Sequence, residues 1–298
     1  RKKIRKAFNL ALSSHEGMRR KSGEPYIFHP IAVARIAAEE IGLGTTSIIC
    51  ALLHDVVEDT DITLEEIEGL FEKNVATIID GLTKLDMVAP DSKSMQAENF
   101  RKILLTIADD VRVILIKIAD RLHNMRTLDS MPSNKQLKIS SETLFIYAPI
   151  AHRLGLYSIK SELEDLGMKY TYPDVHANIS DKLKETEKDR KLYIKNFIRP
   201  IRESLIQVGL DTKITGRHKS ISSIWNKMKL KNVSFEEVFD IFAIRIISDA
   251  LSSSDLKILS ICSINTAESN NRFQKSNLPN IPWVPNRKGS PDNFFVWY

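Results

Sequence analysis

The apolar segment Ile48-Ile49-Cys50-Ala51-Leu52-Leu53 runs straight into His54-Asp55-Val56-Val57-Glu58-Asp59. The apolar half commits this stretch to a buried helix, residues 46–57. A His-Asp pair and then a Glu-Asp pair follow before the chain can leave the core. Buried carboxylates are costly unless they are paired, hydrogen-bonded or bound to metal. Any fold that accepts this run must therefore supply a compensating partner, and a divalent metal suits it best.

Further ligand types lie elsewhere in the chain. His29 follows Tyr26-Ile27-Phe28 and precedes Pro30, where a loop meets a helix. Asp120 interrupts the apolar stretch Leu115-Ile116-Lys117-Ile118-Ala119. His54 and Asp55 are adjacent, so their directions on a helix differ by about 100°. Both can reach one ion only near the helix end. His29, His54, Asp55 and Asp120 together offer two imidazoles and two carboxylates. Such a set suits Mn²⁺, Fe²⁺ or Zn²⁺, with water in open positions.

Composition narrows the class. A chain of 298 residues is long for one domain, and 43% apolar content supports a core in each of two. The 43 basic and 38 acidic residues leave a formal charge of +5, which suits an anionic substrate without demanding nucleic acid. Cys50 and Cys262 lie far apart, so neither a disulfide framework nor a zinc-cysteine site is expected, and a cytoplasmic location is. No stretch approaches the roughly 18 apolar residues of a membrane span. The basic start, Arg1 to Lys6, leads into no signal-like segment. A first residue other than methionine suits a fragment.

Helix signals dominate to about residue 170. Ile31, Ala34, Ile36 and Ala37 keep helical spacing after Pro30, and Thr63 and Glu66 have capping-box spacing. Val111 to Ile118 is β-branched, but Ile114, Ile118 and Leu122 step by four, which predicts helix. Residues 86–96 read as a mobile loop. Pro173-Asp174 marks a change, followed by a charged helix over about 178–198 and another that Pro200 opens. Strands are expected over Asp211–Gly216 and Val238–Ile247. The polar, proline-rich tail past Ala250 reads as a loosely ordered terminus, with Trp283, Phe294, Phe295, Trp297 and Tyr298 as anchors.

His29, His54-Asp55 and Asp120 form a pattern that resembles the HD phosphohydrolase superfamily. Longer strings are more specific. Arg20 to Pro30, His54 to Asp59, Asp120 to Thr127, and Ala148 to Gly155 resemble the RelA/SpoT-homologue family, which makes and destroys (p)ppGpp. The resemblance covers about residues 1–248. It implies a mainly α protein: a helical HD bundle over 1–172, a helical linker over 173–199, and a partial α+β, nucleotidyltransferase-like synthetase domain over 200–298.

For the first domain the resemblance implies hydrolysis of the 3′-pyrophosphate of ppGpp or pppGpp to GDP or GTP, with Mn²⁺. Glu58 and Asp59 would then orient or deprotonate the attacking water, and the sequence leaves open which of them does so. Arg20, Lys21 and Ser22 would contact the nucleotide. Asn124 and Thr127 share the helical face of Asp120, and the family suggests guanine there. His123 and Arg126 point elsewhere; Arg126 reads as one half of a structural ion pair, and His123 is left without a role.

Gly216 to Met228 resembles the start of the synthetase domain, which transfers pyrophosphate from ATP to GDP or GTP. Arg217, Lys219 and Lys227 match its ATP-phosphate positions, and Asp240 matches its Mg²⁺-binding acid. Ser222 stands where the family usually has tyrosine. Past Asp249 neither the family's glycine-tyrosine loop nor its glutamate-bearing strand is found. The leading expectation is a (p)ppGpp hydrolase with an incomplete synthetase domain. The alternatives are a bifunctional enzyme or net synthetase with a regulatory helical domain, and a non-catalytic ppGpp-sensing module.

Overall fold

Apolar side chains recurring at helical spacing gather the first part of the chain around one core. A computed structural model describes residues 1–86, 110–207, 212–238, 241–248 and 293–297. The chain divides into two units, Arg1–Pro173 and Asp174–Tyr298. The mainly α architecture expected from the sequence is the one observed.

In the first unit α1 (Lys2–Ser14) leads through a loop over residues 15–27, closed by an Arg19–Pro25 bridge, into α2 (Phe28–Arg35), which ends in a π turn, Ile36–Glu40. Then come α3 (Thr45–Leu53), α4 (Val56–Asp59), α5 (Leu64–Phe71), α6 (Lys73–Asp86) and α7 (Val111–Arg126). α8 (Ser133–Glu142) passes through a second π turn, Thr143–Tyr147, into α9 (Ala148–Arg153), and α10 (Tyr157–Thr171) closes the unit.

Helices α3 and α7 hold the centre. α3 packs on α1, α2, α6 and α7, and α7 also touches α2, α6 and α10. Ile49, Cys50, Ala51 and Leu53 from α3 meet Ile114, Ile116, Ile118, Ala119 and Leu122 from α7, all buried. Asp110 starts α7 by accepting a hydrogen bond from the Arg112 amide at 2.9 Å, and tertiary burial holds the β-branched segment as helix. Thr63 and Glu66 form both arms of a capping box at the start of α5.

The helix expected over 46–57 is interrupted. α3 ends at Leu53, His54 and Asp55 form a turn, and α4 restarts at Val56. The interruption falls where the polar pair must turn toward its partners while Leu53 and Val56 stay buried. The π turns in α2 and α8 carried no signal in the apolar pattern.

The second unit begins at the boundary with α11 (Pro173–Glu185) and α12 (Glu187–Gln207). The expected charged helix is therefore broken near Thr186. Pro200 lies inside α12 rather than opening a helix. An internal proline costs about 3 kcal/mol, but Ile198, Ile201 and Leu205 from α12 share a buried cluster with Ile214 and Ile244, which holds the helix through it. Strand β1 (Thr212–His218) precedes α13 (Ile221–Lys231). β1 pairs antiparallel with β2 (Phe242–Ser248), and β2 pairs antiparallel with β3 (Asn293–Trp297). The loosely ordered terminus is thereby corrected for residues 293–297, because their backbone completes the far edge of β2. The loop expected at 86–96 begins at the last residue of α6 and otherwise lies outside the described residues.

Candidate metal centre

Three elements bring the ligand types together. α2 presents His29 from its first turn, the break between α3 and α4 presents His54 and Asp55, and α7 presents Asp120. His54 Nε2 lies 3.0 Å from Asp55 Oδ2 and 3.8 Å from Asp120 Oδ1. His29 Nε2 lies 3.2 Å from Asp120 Oδ1 and 3.5 Å from Asp55 Oδ2. Atoms bound about 2.0–2.2 Å from one ion must stand roughly 3–3.5 Å from their neighbours. The observed separations have that scale.

The imidazoles are turned correctly for such an ion. His54 Nδ1 faces the Ala51 carbonyl at 2.9 Å and donates to it, which leaves Nε2 for the ligand side. That Nε2 is buried and has no hydrogen bond of acceptable geometry despite its acidic neighbours. His29, His54 and Asp120 are all buried. A buried, orphaned nitrogen facing two carboxylates fits a divalent cation of intermediate hardness.

The same arrangement sets the charges of the metal-free site. Burial works against the charged form of His54, but the Asp55 charge and contacts with Asp120 and Asp55 outweigh it and raise its pKa to about 10. Burial lowers that of His29, with Asp120 opposing. Asp55 and Asp120 are buried, which alone would raise them. The His54 charge holds Asp55 below the usual carboxylate range, and Lys117 with His29 and His54 does so for Asp120.

Four surrounding residues lacked a role at the sequence level. Tyr26 donates from its hydroxyl to Asp55 Oδ2 at 2.6 Å. Lys117, itself buried, places Nζ 3.3 Å from Asp120 Oδ2. His15 stacks on Tyr26 with ring centroids 4.8 Å apart. His123 does not point elsewhere as expected: its Nδ1 stands 2.8 Å from His29 Nδ1. Residues three apart share a helix face, so the spacing from Asp120 carried this signal.

The remaining expected positions separate into two groups. Arg20 reaches the cluster, donating from Nη2 to Asn124 Oδ1 at 2.8 Å, and Asn124 Nδ2 donates to Asp120 Oδ1 at 2.7 Å. Glu58 and Asp59 stand exposed in α4, and Asp59 also contributes to raising the Tyr26 pKa, after burial and Asp55. Lys21 and Ser22 are exposed on the turn, where Gly23 has φ +90° and Ser22 Oγ donates to Glu24. Thr127 caps α7, its hydroxyl folded back on the His123 carbonyl at 3.0 Å. Arg126 bridges Glu40 and Glu162, the structural role expected of it.

In the second unit Lys219 precedes α13 and Lys227 lies within it, close enough to interact. Burial first, then contact with Lys219, lowers the Lys227 pKa to about 8. Arg217 lies in β1, and Asp240 lies outside the described residues. Ser222 is buried, 3.1 Å from the Ser220 hydroxyl that caps α13.

Comparisons with known proteins match two separate segments of the chain. The HD domain family matches residues 7–157, about half of the chain. A second family, a region found in RelA/SpoT proteins, matches residues 216–279, which carries that likeness past the expected limit at 248 into the tail. A guanosine-3′,5′-bis(diphosphate) 3′-pyrophosphohydrolase of Vibrio cholerae is 47% identical over 247 residues, 83% of this chain and 35% of its own length. The bifunctional (p)ppGpp synthase/hydrolase SpoT of Escherichia coli is 46% identical over 83% of this chain and 35% of its own. A GTP pyrophosphokinase of Myxococcus xanthus is 45% identical over 82% of this chain and 33% of its own. The chain thus spans about a third of the length of the curated relatives it matches. Among the described residues no helix is long and apolar enough to cross a membrane. The cluster of His29, His54, Asp55 and Asp120 lies wholly within the first matched segment, and the chain belongs to the HD domain family, with a region found in RelA/SpoT proteins in its second unit.

Proposed function

We propose that this chain is a metal-dependent hydrolase of the stringent response. It removes the 3′-pyrophosphate of ppGpp or pppGpp, giving GDP or GTP and pyrophosphate in the cytoplasm. The observation that carries the reading is the approach of the His29 and His54 Nε2 atoms to the Asp55 and Asp120 carboxylates, with imidazole-to-carboxylate separations of 3.0–3.8 Å. The names of the relatives support the substrate. The ion is Mn²⁺ by resemblance.

A bound divalent ion would polarise a phosphoryl oxygen and acidify a water. The chain's own groups supply the rest. Glu58 or Asp59 takes the proton of the attacking water. That water attacks the phosphorus on the ribose 3′ oxygen, the phosphorus–oxygen bond breaks, and the 3′ oxygen leaves as a hydroxyl by taking the proton that the carboxylate had accepted. Arg20 and Lys21 offer positive charge to the phosphates. The described contacts of Asn124 use one donor and one acceptor of its amide, which leaves one of each for a guanine edge. Incubation with ppGpp and Mn²⁺ is expected to release pyrophosphate. Tight ppGpp binding with metal bound and no pyrophosphate would favour the sensing module instead.

The Lys219–Lys227 pair favours a second reading, that the second unit binds the ATP phosphates for pyrophosphate transfer with Mg²⁺. Transfer from ATP to GDP, lost in Lys227→Ala, would support it. No transfer with ATP bound would leave the hydrolase alone.

A further inference from the structure

The loop before α2 holds a side chain that the proposed chemistry does not use, Tyr26. Its backbone is pinned on both sides. The Tyr26 N–H donates to the Met18 carbonyl at 3.0 Å, and its carbonyl accepts from the His29 amide at 2.9 Å. The ring is pinned as well. It stacks on His15 with 4.8 Å between centroids and 24° between planes, and it meets His29 edge-on at 5.7 Å and 74°. His15 is itself buried, with Nδ1 2.9 Å from the Ala11 carbonyl in the last turn of α1. The loop and α1 therefore set where the Tyr26 hydroxyl stands, whatever acid it meets.

That acid is Asp55, whose Oδ2 lies 2.6 Å from the hydroxyl. The same oxygen stands 3.0 Å from His54 Nε2 and 3.5 Å from His29 Nε2. A carboxylate oxygen accepts through two lone pairs, so the phenol can hold one and leave the other for an ion. Asp55 also has a competing use. It occupies the N-cap position of α4, where an aspartate ordinarily turns its carboxylate back onto the first amides of its own helix. Here the side chain makes no such bond. It forgoes a local partner and faces the two imidazoles instead. With both imidazole nitrogens given to an ion, Tyr26 is the described side-chain donor that still holds Asp55 in that direction.

We propose that Tyr26 is a positioning residue of the metal centre: its hydroxyl keeps the Asp55 carboxylate turned toward the ion and away from the cap of α4. The proposal rests on the metal reading of the site but not on the identity of the substrate.

The test is Tyr26→Phe, which removes the hydroxyl and keeps the ring with its contacts to His15 and His29. Mn²⁺ affinity is measured by titration into the metal-free protein. The first amides of α4 are followed by hydrogen exchange without metal. The variant is expected to bind Mn²⁺ about 10- to 100-fold more weakly, the usual effect of losing a ligand's outer partner. Its Val57 or Glu58 amide is expected to exchange more slowly than in the wild type, because the released Asp55 carboxylate turns back to cap α4. A change confined to packing would not slow those amides. Equal affinity in the wild type and Tyr26→Phe overturns the proposal. So does a weakened affinity with the α4 amides unslowed, which would mean that Asp55 keeps its direction without the hydroxyl. A wild-type protein that takes up no ion overturns the metal reading itself, and the role of Tyr26 with it.

Discussion

At the residue scale the site is a balance between burial and pairing. In the metal-free protein His54 holds its proton up to about pH 10, against an ordinary value of 6.5. A group whose pKa is raised by folding contributes stability in full below its unfolded value and loses it as pH rises through the folded one. Chelated protein is therefore expected to lose thermal stability between about pH 6.5 and 10 from this group, while metal-loaded protein stays flatter, because the ion takes the place of the His54 proton. Melting curves across that range, with and without chelator, check this; parallel curves would contradict it. His29, His54, Asp55 and Asp120 were legible in the sequence because their chemistry is costly anywhere but at a site. Tyr26 and Lys117 were not, since each has an ordinary structural use and only the fold shows what its polar atom faces, whereas the spacing of His123 from Asp120 already placed it on the same helix face.

At the element scale, local signals were read well where a side chain meets its own backbone. Thr63 and Glu66 form the capping box their spacing implied, with Glu66 N donating to Thr63 Oγ1 at 3.3 Å and Thr63 N to Glu66 Oε2 at 2.9 Å. Thr63→Ala is expected to cost about 1 kcal/mol, read as a lower urea midpoint with unchanged slope; no change would mean that Ile67 and Phe71 hold α5 by burial alone. Signals failed where packing overrides local preference. Pro200 reads as a helix start, yet its helix runs on because Ile198, Ile201 and Leu205 share a buried cluster on both sides of it. The break at His54–Asp55 was missed because the apolar rhythm continues through Val56, so the pattern resembles one helix although the polar pair needs a turn.

At the scale of the whole molecule the chain is two units, and the candidate ligands belong to the first alone. A ligand that binds only the folded state stabilises what it binds, by about 2.7 kcal/mol at 100 times its dissociation constant. Calorimetry is expected to show Mn²⁺ raising the transition of the first unit and leaving that of the second in place; equal shifts of both would contradict this. The helical character of the first unit followed from apolar spacing, whereas the helices over 173–207, expected in part as a linker, belong to the second unit. The pairing of residues 293–297 with β2 did not follow from spacing, because it joins segments distant in sequence whose turn-rich approach carries no periodicity. The central claim is that His29, His54, Asp55 and Asp120 hold one ion between them. Direct titration of Mn²⁺ into metal-free wild-type, Asp55→Ala and Asp120→Ala proteins tests it most simply. One ion per chain in the wild type, with binding lost in both variants while helical content stays intact, is the predicted result; variants that bind as tightly as the wild type would contradict it.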